Sequence, residues 1–152
     1  MRLENILNPN LILCQYPGVS KKRTLESIAR FLAENVSGLD AEDIFMRLIQ
    51  RERLGSTGIG NGIAIPHCRI PNCQEVVGAL VSLDNPIDFE AIDDNPVDLI
   101  FVLLVPEESF NEHLETLATL AGLFNQEAFC QGLRNARSQQ ELFKAAIEYQ
   151  GS

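Results

Sequence analysis

The sequence has no apolar run approaching the roughly 20 residues that a helix needs to cross a bilayer. Its opening residues, Met1-Arg2-Leu3-Glu4-Asn5, lack the charged-then-apolar order of a secretory signal. Both absences predict a cytoplasmic protein with no membrane insertion. Positive charge is scarce too: 12 Lys and Arg stand against 21 Asp and Glu, a formal net charge of −9. That field repels polyanions, so nucleic acid is not an expected partner. The one basic run, Lys21-Lys22-Arg23, reads as the solvated first turn of a helix. The four cysteines, Cys14, Cys68, Cys73 and Cys130, show neither a Cys-x-x-Cys pair nor a disulfide framework. A chain of 152 residues does not need staples, so reduced thiols are expected.

Missing motifs exclude several chemistries. No Gly-Lys-Ser/Thr follows the glycine-rich stretch after Arg53, so it is not a Walker A loop, and Ile63 breaks the dinucleotide pattern Gly-x-Gly-x-x-Gly. There is no Gly-x-Ser-x-Gly elbow and no His-Glu-x-x-His. His67, Cys68, Cys73 and a distant His113 make poor zinc spacing. The acidic residues Asp84, Asp88, Glu90, Asp93, Asp94 and Asp98 lack the order of a calcium loop. No metal and no cofactor is expected.

What is present describes one soluble domain over residues 1–152, with 45% hydrophobic residues and no Pro/Gly/Ser-rich linker. Ser20 caps a helix carrying Leu25, Ile28, Ala29 and Leu32 towards Asn35. Asp40 opens a second, with the stripe Ile44, Phe45, Leu48 and Ile49, ending near Leu54 before Gly55. The runs 76–83 and 97–105 read as central strands covered on both faces. The Asn-Pro pairs at 85–86 and 95–96 read as turns. Phe110, His113, Leu114, Leu117, Ala121 and Phe124 fall on one helical face, which would aim His113 at the protein body, and Ser138-Gln139-Gln140-Glu141 opens a last helix through Tyr149. The predicted class is α/β: a single layered domain with a mixed central β-sheet flanked by helices on both faces.

The densest chemistry lies in Arg51-Glu52-Arg53-Leu54-Gly55-Ser56-Thr57-Gly58-Ile59-Gly60-Asn61-Gly62-Ile63-Ala64-Ile65-Pro66-His67. Glycines such as Gly58 and Gly60 let backbone N–H groups approach an anion, the hydroxyls of Ser56 and Thr57 can donate to its oxygens, and Arg51 offers a planar fork suited to phosphate. A tight helix-to-strand connection would recruit the same glycines for geometry alone. His67, behind a rigid proline, is a nucleophile candidate when neutral; standing alone it would read as an ordinary hydrogen-bonded histidine. His113 reads either as a satisfied core residue or, if it meets His67, as a donor to the oxygens of a transferred group.

This stretch resembles the signature of the enzyme IIA proteins of the fructose/mannitol type in the phosphoenolpyruvate-dependent phosphotransferase system, and its wording is most similar to the nitrogen-related branch. The resemblance extends to Ser20-Lys21-Lys22-Arg23, Val97-Asp98-Leu99, Leu103-Leu104-Val105-Pro106 and His113-Leu114. It implies that His67 matches the phosphorylated histidine, reacting through Nε2, that His113 matches the second active-site histidine, and that Arg51 matches the phosphate-facing arginine. It implies a histidine phosphocarrier protein as donor. The output would be regulatory, with potassium transport and sensor-kinase components among the kinds of partner such proteins have. The mannitol branch carries glutamate where Asn61 stands, which speaks against mannitol transfer. A fructose- or mannitol-specific component and an interaction-only regulator are the alternatives.

Overall fold

A computed structural model describes residues 2–108 and 113–150. A 3-10 turn at Leu3–Asn5 leads into β1 (Leu7–Tyr16), followed by α1 (Lys21–Asn35), α2 (Ala41–Arg53), β2 (Gly58–Gly60), β3 (Ile63–Ala64), β4 (His67–Ile70), β5 (Val77–Ile87), β6 (Val97–Pro106), α3 (Leu114–Phe124), α4 (Glu127–Asn135) and α5 (Gln139–Ile147). The six strands form one mixed sheet in the order β1-β5-β6-β3-β2, with β4 also on β6. β1 runs parallel to β5, and β3 and β4 run parallel to β6; β5–β6 and β2–β3 are antiparallel.

Side chains alternate across β6, so the strand feeds two cores. Ile100, Val102 and Leu104 join Leu25, Ile28, Leu32, Ile44 and Leu48 of α1 and α2. Leu99, Phe101 and Leu103 join Leu120, Phe124, Phe129, Leu133 and Leu142 of α3, α4 and α5. Helices therefore cover both faces, as the composition and patterning predict.

Local chemistry sets the helix starts. The Ser20 side chain accepts from Arg23 N, Asp40 from Asp43 N and Ser138 from Glu141 N, each satisfying an amide that the first turn leaves without a partner. Several features depart from the sequence expectation, the short strands β2 and β4 among them. β1 was not foreseen: Asn8-Pro9-Asn10 interrupts its pattern, and the register against β5 slips between Leu7 and Ile12, which an edge strand tolerates. The Asn85-Pro86 pair is not a turn but lies inside β5, where pairing with β6 is irregular between Ser82 and Ile87, so the proline breaks no regular ladder. The helix α4, carrying Phe129, Cys130 and Leu133 inward, also went unforeseen.

Candidate active site

β3 and β4 act as one strand with a proline in it. Ile63 pairs with Leu99, Ala64 with Ile100, His67 with Leu103 and Cys68 with Leu104. Since 99 − 63 and 103 − 67 give the same offset, Ile65-Pro66 breaks the hydrogen-bonded ladder without shifting its register. Leu103 N donates to Pro66 O at 3.0 Å and Ile65 N donates to Thr57 O at 3.0 Å, so the interruption is held from both sides. His67 consequently shares the sheet face of Ile63, Ile65 and Leu103, the face covered by α3, α4 and α5. Cys68 turns the other way into the α1–α2 core, where burial pushes its thiol up to about 12. The two adjacent residues therefore do not aim at one ion.

The His67 ring is half-buried, and its Nδ1 lies 2.9 Å from Ile65 O. A carbonyl only accepts, so Nδ1 carries the proton and, in the neutral ring, Nε2 keeps its lone pair. Burial lowers the His67 pKa below its ordinary value. The bond to Ile65 O opposes that shift, the Arg51 charge adds to it and the Glu52 carboxylate counters it. Arg51 and Glu52 are thus the charged side chains felt at the ring. Both close α2, where Arg51 Nη1 donates to Gly55 O at 2.8 Å.

The loop after α2 is tied together by its own side chains. Glu52 is buried; its Oε1 accepts from Thr57 N at 3.1 Å and from Lys21 Nζ at 2.9 Å, and its Oε2 accepts from the Thr57 hydroxyl. Ser56 Oγ donates to Phe89 O at 2.8 Å and accepts from Gly58 N at 3.0 Å. Ser56, Thr57 and Gly58, expected with Gly60 to form a phosphate cradle, are engaged within the loop. Both hydroxyl protons and the Gly58 amide already have partners within the protein. A Cβ on Gly58 would lie 2.7 Å from Ala91 Cβ, so this glycine serves close contact. Beside Gly60 stands the Asp93 carboxylate, held below its usual range by its bond from Asn61 N, a poor neighbour for an anion.

Asn61, at φ 58°, turns the β2–β3 hairpin. Its N–H donates to Asp93 Oδ2 at 2.9 Å, and its carbonyl accepts from Arg134 Nη2 at 2.9 Å. Arg134 is itself bound to Asp98 through Nε and Nη2, so α4 and β6 jointly clamp the hairpin.

His113 does not lie on an apolar stripe. It is the N-cap of α3, half-exposed, with no side-chain capping bond; the buried residues of that helix are Thr116, Leu120 and Phe124, and Leu114 is 50% exposed. Leucine and alanine occur on most sides of α3, so the sequence does not fix which side turns inward. Phe110 lies outside the described residues. His113 thus opens a helix of the layer that covers the His67 face. Among the described residues no group of three or more His, Cys, Asp or Glu is gathered as for a metal ion, and no helix is long and apolar enough to cross a membrane.

Residues 5–148 match the family model described as "Phosphoenolpyruvate-dependent sugar phosphotransferase system, EIIA 2". The chain belongs to this family. A nitrogen regulatory protein of Pseudomonas aeruginosa is 48% identical to this EIIA chain over 150 residues, 99% of this chain and 97% of that protein. One from Escherichia coli strain K12 is 40% identical over 153 residues, 100% of this chain and 93% of that protein. Among solved structures, the nitrogen regulatory protein IIA-Ntr from Neisseria meningitidis superimposes with a TM-score of 0.86 at 40% identity, covering 93% of this chain and 97% of that one. The EIIA chain is therefore a component of a phosphotransferase system, similar along its length to nitrogen regulatory proteins.

Two parts of the EIIA site escaped the sequence reading. Glu52 follows Ile44 and Leu48 at four-residue steps, and Lys21 precedes Leu25 and Ala29 in the same rhythm; both polar residues thus sit on buried stripes, which is the signal the sequence carries. Lys21 is not a solvated residue as expected: only 16% of its side chain is exposed, and its Nζ lies 4.7 Å from the centre of the Phe89 ring. The Asp98–Arg134 clamp joins residues far apart in sequence, which no local pattern reveals.

Proposed function

We propose that the chain is a phosphocarrier in which His67 takes a phosphoryl group from the phosphohistidine of a small carrier protein, and that the phosphorylated state regulates partner proteins, as in the nitrogen-related branch. The observation carrying this reading is the Nδ1 bond to Ile65 O, which leaves Nε2 as the nucleophile. In the transfer, Nε2 forms the new N–P bond as the donor's N–P bond breaks and its electron pair returns to the donor ring. The charge gained by the His67 ring is stabilised through Nδ1–H on the Ile65 carbonyl. Phosphoryl transfer passes through a loose transition state, so positioning and charge stabilisation do most of the work. Arg51 supplies that charge, and His113, opening α3, supplies a donor to the phosphoryl oxygens. A phosphoryl adds about −1.5 to −2 charges at one surface point, enough to create or block an interface.

The test is incubation with enzyme I, its histidine phosphocarrier and phosphoenolpyruvate. One acid-labile phosphoryl group, seen by intact mass and absent in His67→Ala, is the expected result. No mass gain with a matched donor overturns it. A sugar-specific output is the second reading, favoured by a fructose-specific EIIA component of Haloferax volcanii that is 32% identical over 131 residues. It requires that membranes carrying a cognate permease drain the phosphoryl group into sugar.

A further inference from the structure

His67 is oriented by one bond, and that bond hangs on a chain of others. Its Nδ1 meets Ile65 O; Ile65 N donates to Thr57 O at 3.0 Å; Thr57 N and its hydroxyl both bind the Glu52 carboxylate; and Glu52 Oε1 is paired with Lys21 Nζ at 2.9 Å. Ser56 is committed elsewhere, to Phe89 O, and Gly58 O accepts from Ile92 N at 3.2 Å; on the other side Leu103 N holds Pro66 O at 3.0 Å, so the Thr57 path supports the segment from the β2 side.

The root of the chain is a shielded ion pair. Glu52 has 5% of its side chain exposed and Lys21 16%. A lysine in the first turn of α1 opposes the helix dipole, and a buried carboxylate without a cation is unfavourable, so each group needs the other. Glu90 lies 3.8 Å from Lys21 on its solvent side, at 78% side-chain exposure, and does not replace Glu52. An apolar pair would fill the same space without two desolvated charges. What it could not do is grip both the amide and the hydroxyl of Thr57, the residue whose carbonyl receives Ile65 N.

We propose that Lys21, Glu52 and Thr57 are positioning residues for phosphoryl transfer: the Lys21–Glu52 pair holds Thr57, Thr57 O holds Ile65 through its N–H, and the carbonyl of the same residue holds the His67 ring with Nε2 presented for reaction. The inference rests on His67 being the phosphoryl acceptor. It separates the groups that touch the phosphoryl oxygens from those that only aim the ring.

The experiment compares Thr57→Val, Thr57→Ser and Glu52→Gln with the parent in the full chain. Three readouts are needed: thermal melting, steady-state transfer from the phosphorylated carrier, and the 15N signals of the His67 ring, which distinguish Nδ1–H from Nε2–H. The parent ring is expected to be Nδ1–H. Thr57→Val, which keeps the shape but loses the hydroxyl, should reduce kcat about tenfold with the KM for the carrier unchanged, and should give a mixture of ring tautomers. Glu52→Gln should do the same, and Thr57→Ser should restore both readouts. Folded Thr57→Val and Glu52→Gln with parental kcat and a pure Nδ1–H ring would overturn the inference. Should Thr57→Val fail to fold, the ring signals of Glu52→Gln decide. If the parent takes up no phosphoryl group, the phosphocarrier reading falls, while the tautomer signals still report whether this chain aims the ring.

Discussion

The carbonyl oxygen of Ile65 lies 2.9 Å from Nδ1 of His67, two residues along the same strand segment. Pro66 stands between them and has no N–H to draw the chain into a regular ladder. Pro66 faces β6, with its carbonyl taken by Leu103 N, whereas Ile65 faces the β2 side and its carbonyl meets the ring. A backbone group, not a side chain, sets which ring nitrogen carries the proton.

His67 has its pKa lowered from 6.5, chiefly by burial, with Arg51 adding to the shift. The folded ring therefore binds its proton less readily than the unfolded one. The stability tied to it is fully present above pH 6.5 and is lost as pH falls through the folded value. Transfer should likewise keep its rate below pH 6.5 until the ring protonates, because imidazolium has no lone pair to offer. Arg51→Ala should move that acid limb to higher pH and slow transfer by about 10²–10³, while costing less than about 1 kcal/mol of stability from the lost bond to Gly55 O. An NMR pH titration of the ring, with rates across the same range, checks both shifts. A parental rate would remove Arg51 from the site.

Gly58 has no room for a side chain. A methyl there would meet Ala91 Cβ at 2.7 Å and Ala91 Cα at 3.0 Å, and the loop is already fixed by Ser56 and Thr57. Gly58→Ala should destabilise by about 1–3 kcal/mol. Adding Ala91→Gly should recover part of the loss. Equal melting temperatures for the parent and Gly58→Ala would show that the loop moves aside freely.

Arg134 joins α4 to the hairpin through Asp98 and the Asn61 carbonyl, with about a third or less of either side chain exposed. Arg134→Met keeps length but drops every bond, leaving the Asp98 carboxylate without its partner. A loss of about 1–2 kcal/mol is expected. Amide exchange should quicken at Asn61 and Gly62 more than at Leu80 or Val102. Uniform exchange across these positions would count against a local clamp.

Much of this fold was legible because its signals are local. Ser20, Asp40 and Ser138 cap where their side chains reach the next turn, and the two long apolar runs became the antiparallel centre of the sheet. β1 was illegible because an edge strand with a proline near its start carries little pattern. The site divided in the same manner. His67 and Arg51 stand in one contiguous stretch and are candidates that the sequence alone proposes, whereas Lys21 reaches Glu52 across 31 positions and reads as an ordinary basic turn. For Ser56 and Thr57 the sequence is silent for a related reason: hydroxyls beside glycines look the same whether they face a ligand or fasten a loop. Only their partners distinguish the two.

The constant offset of β3 and β4 against β6 makes the two-residue gap between Ala64 and His67 a matter of parity. Neighbouring residues on a strand point to opposite sides of the sheet, so losing one residue in that gap would set Cys68 in the place of His67. The imidazole would turn into the α1–α2 interior, and a thiol would stand on the face that His67 now occupies. Loops elsewhere in the chain can change length and leave His67 where it is; a change in this one keeps the ring on its face only when it is even.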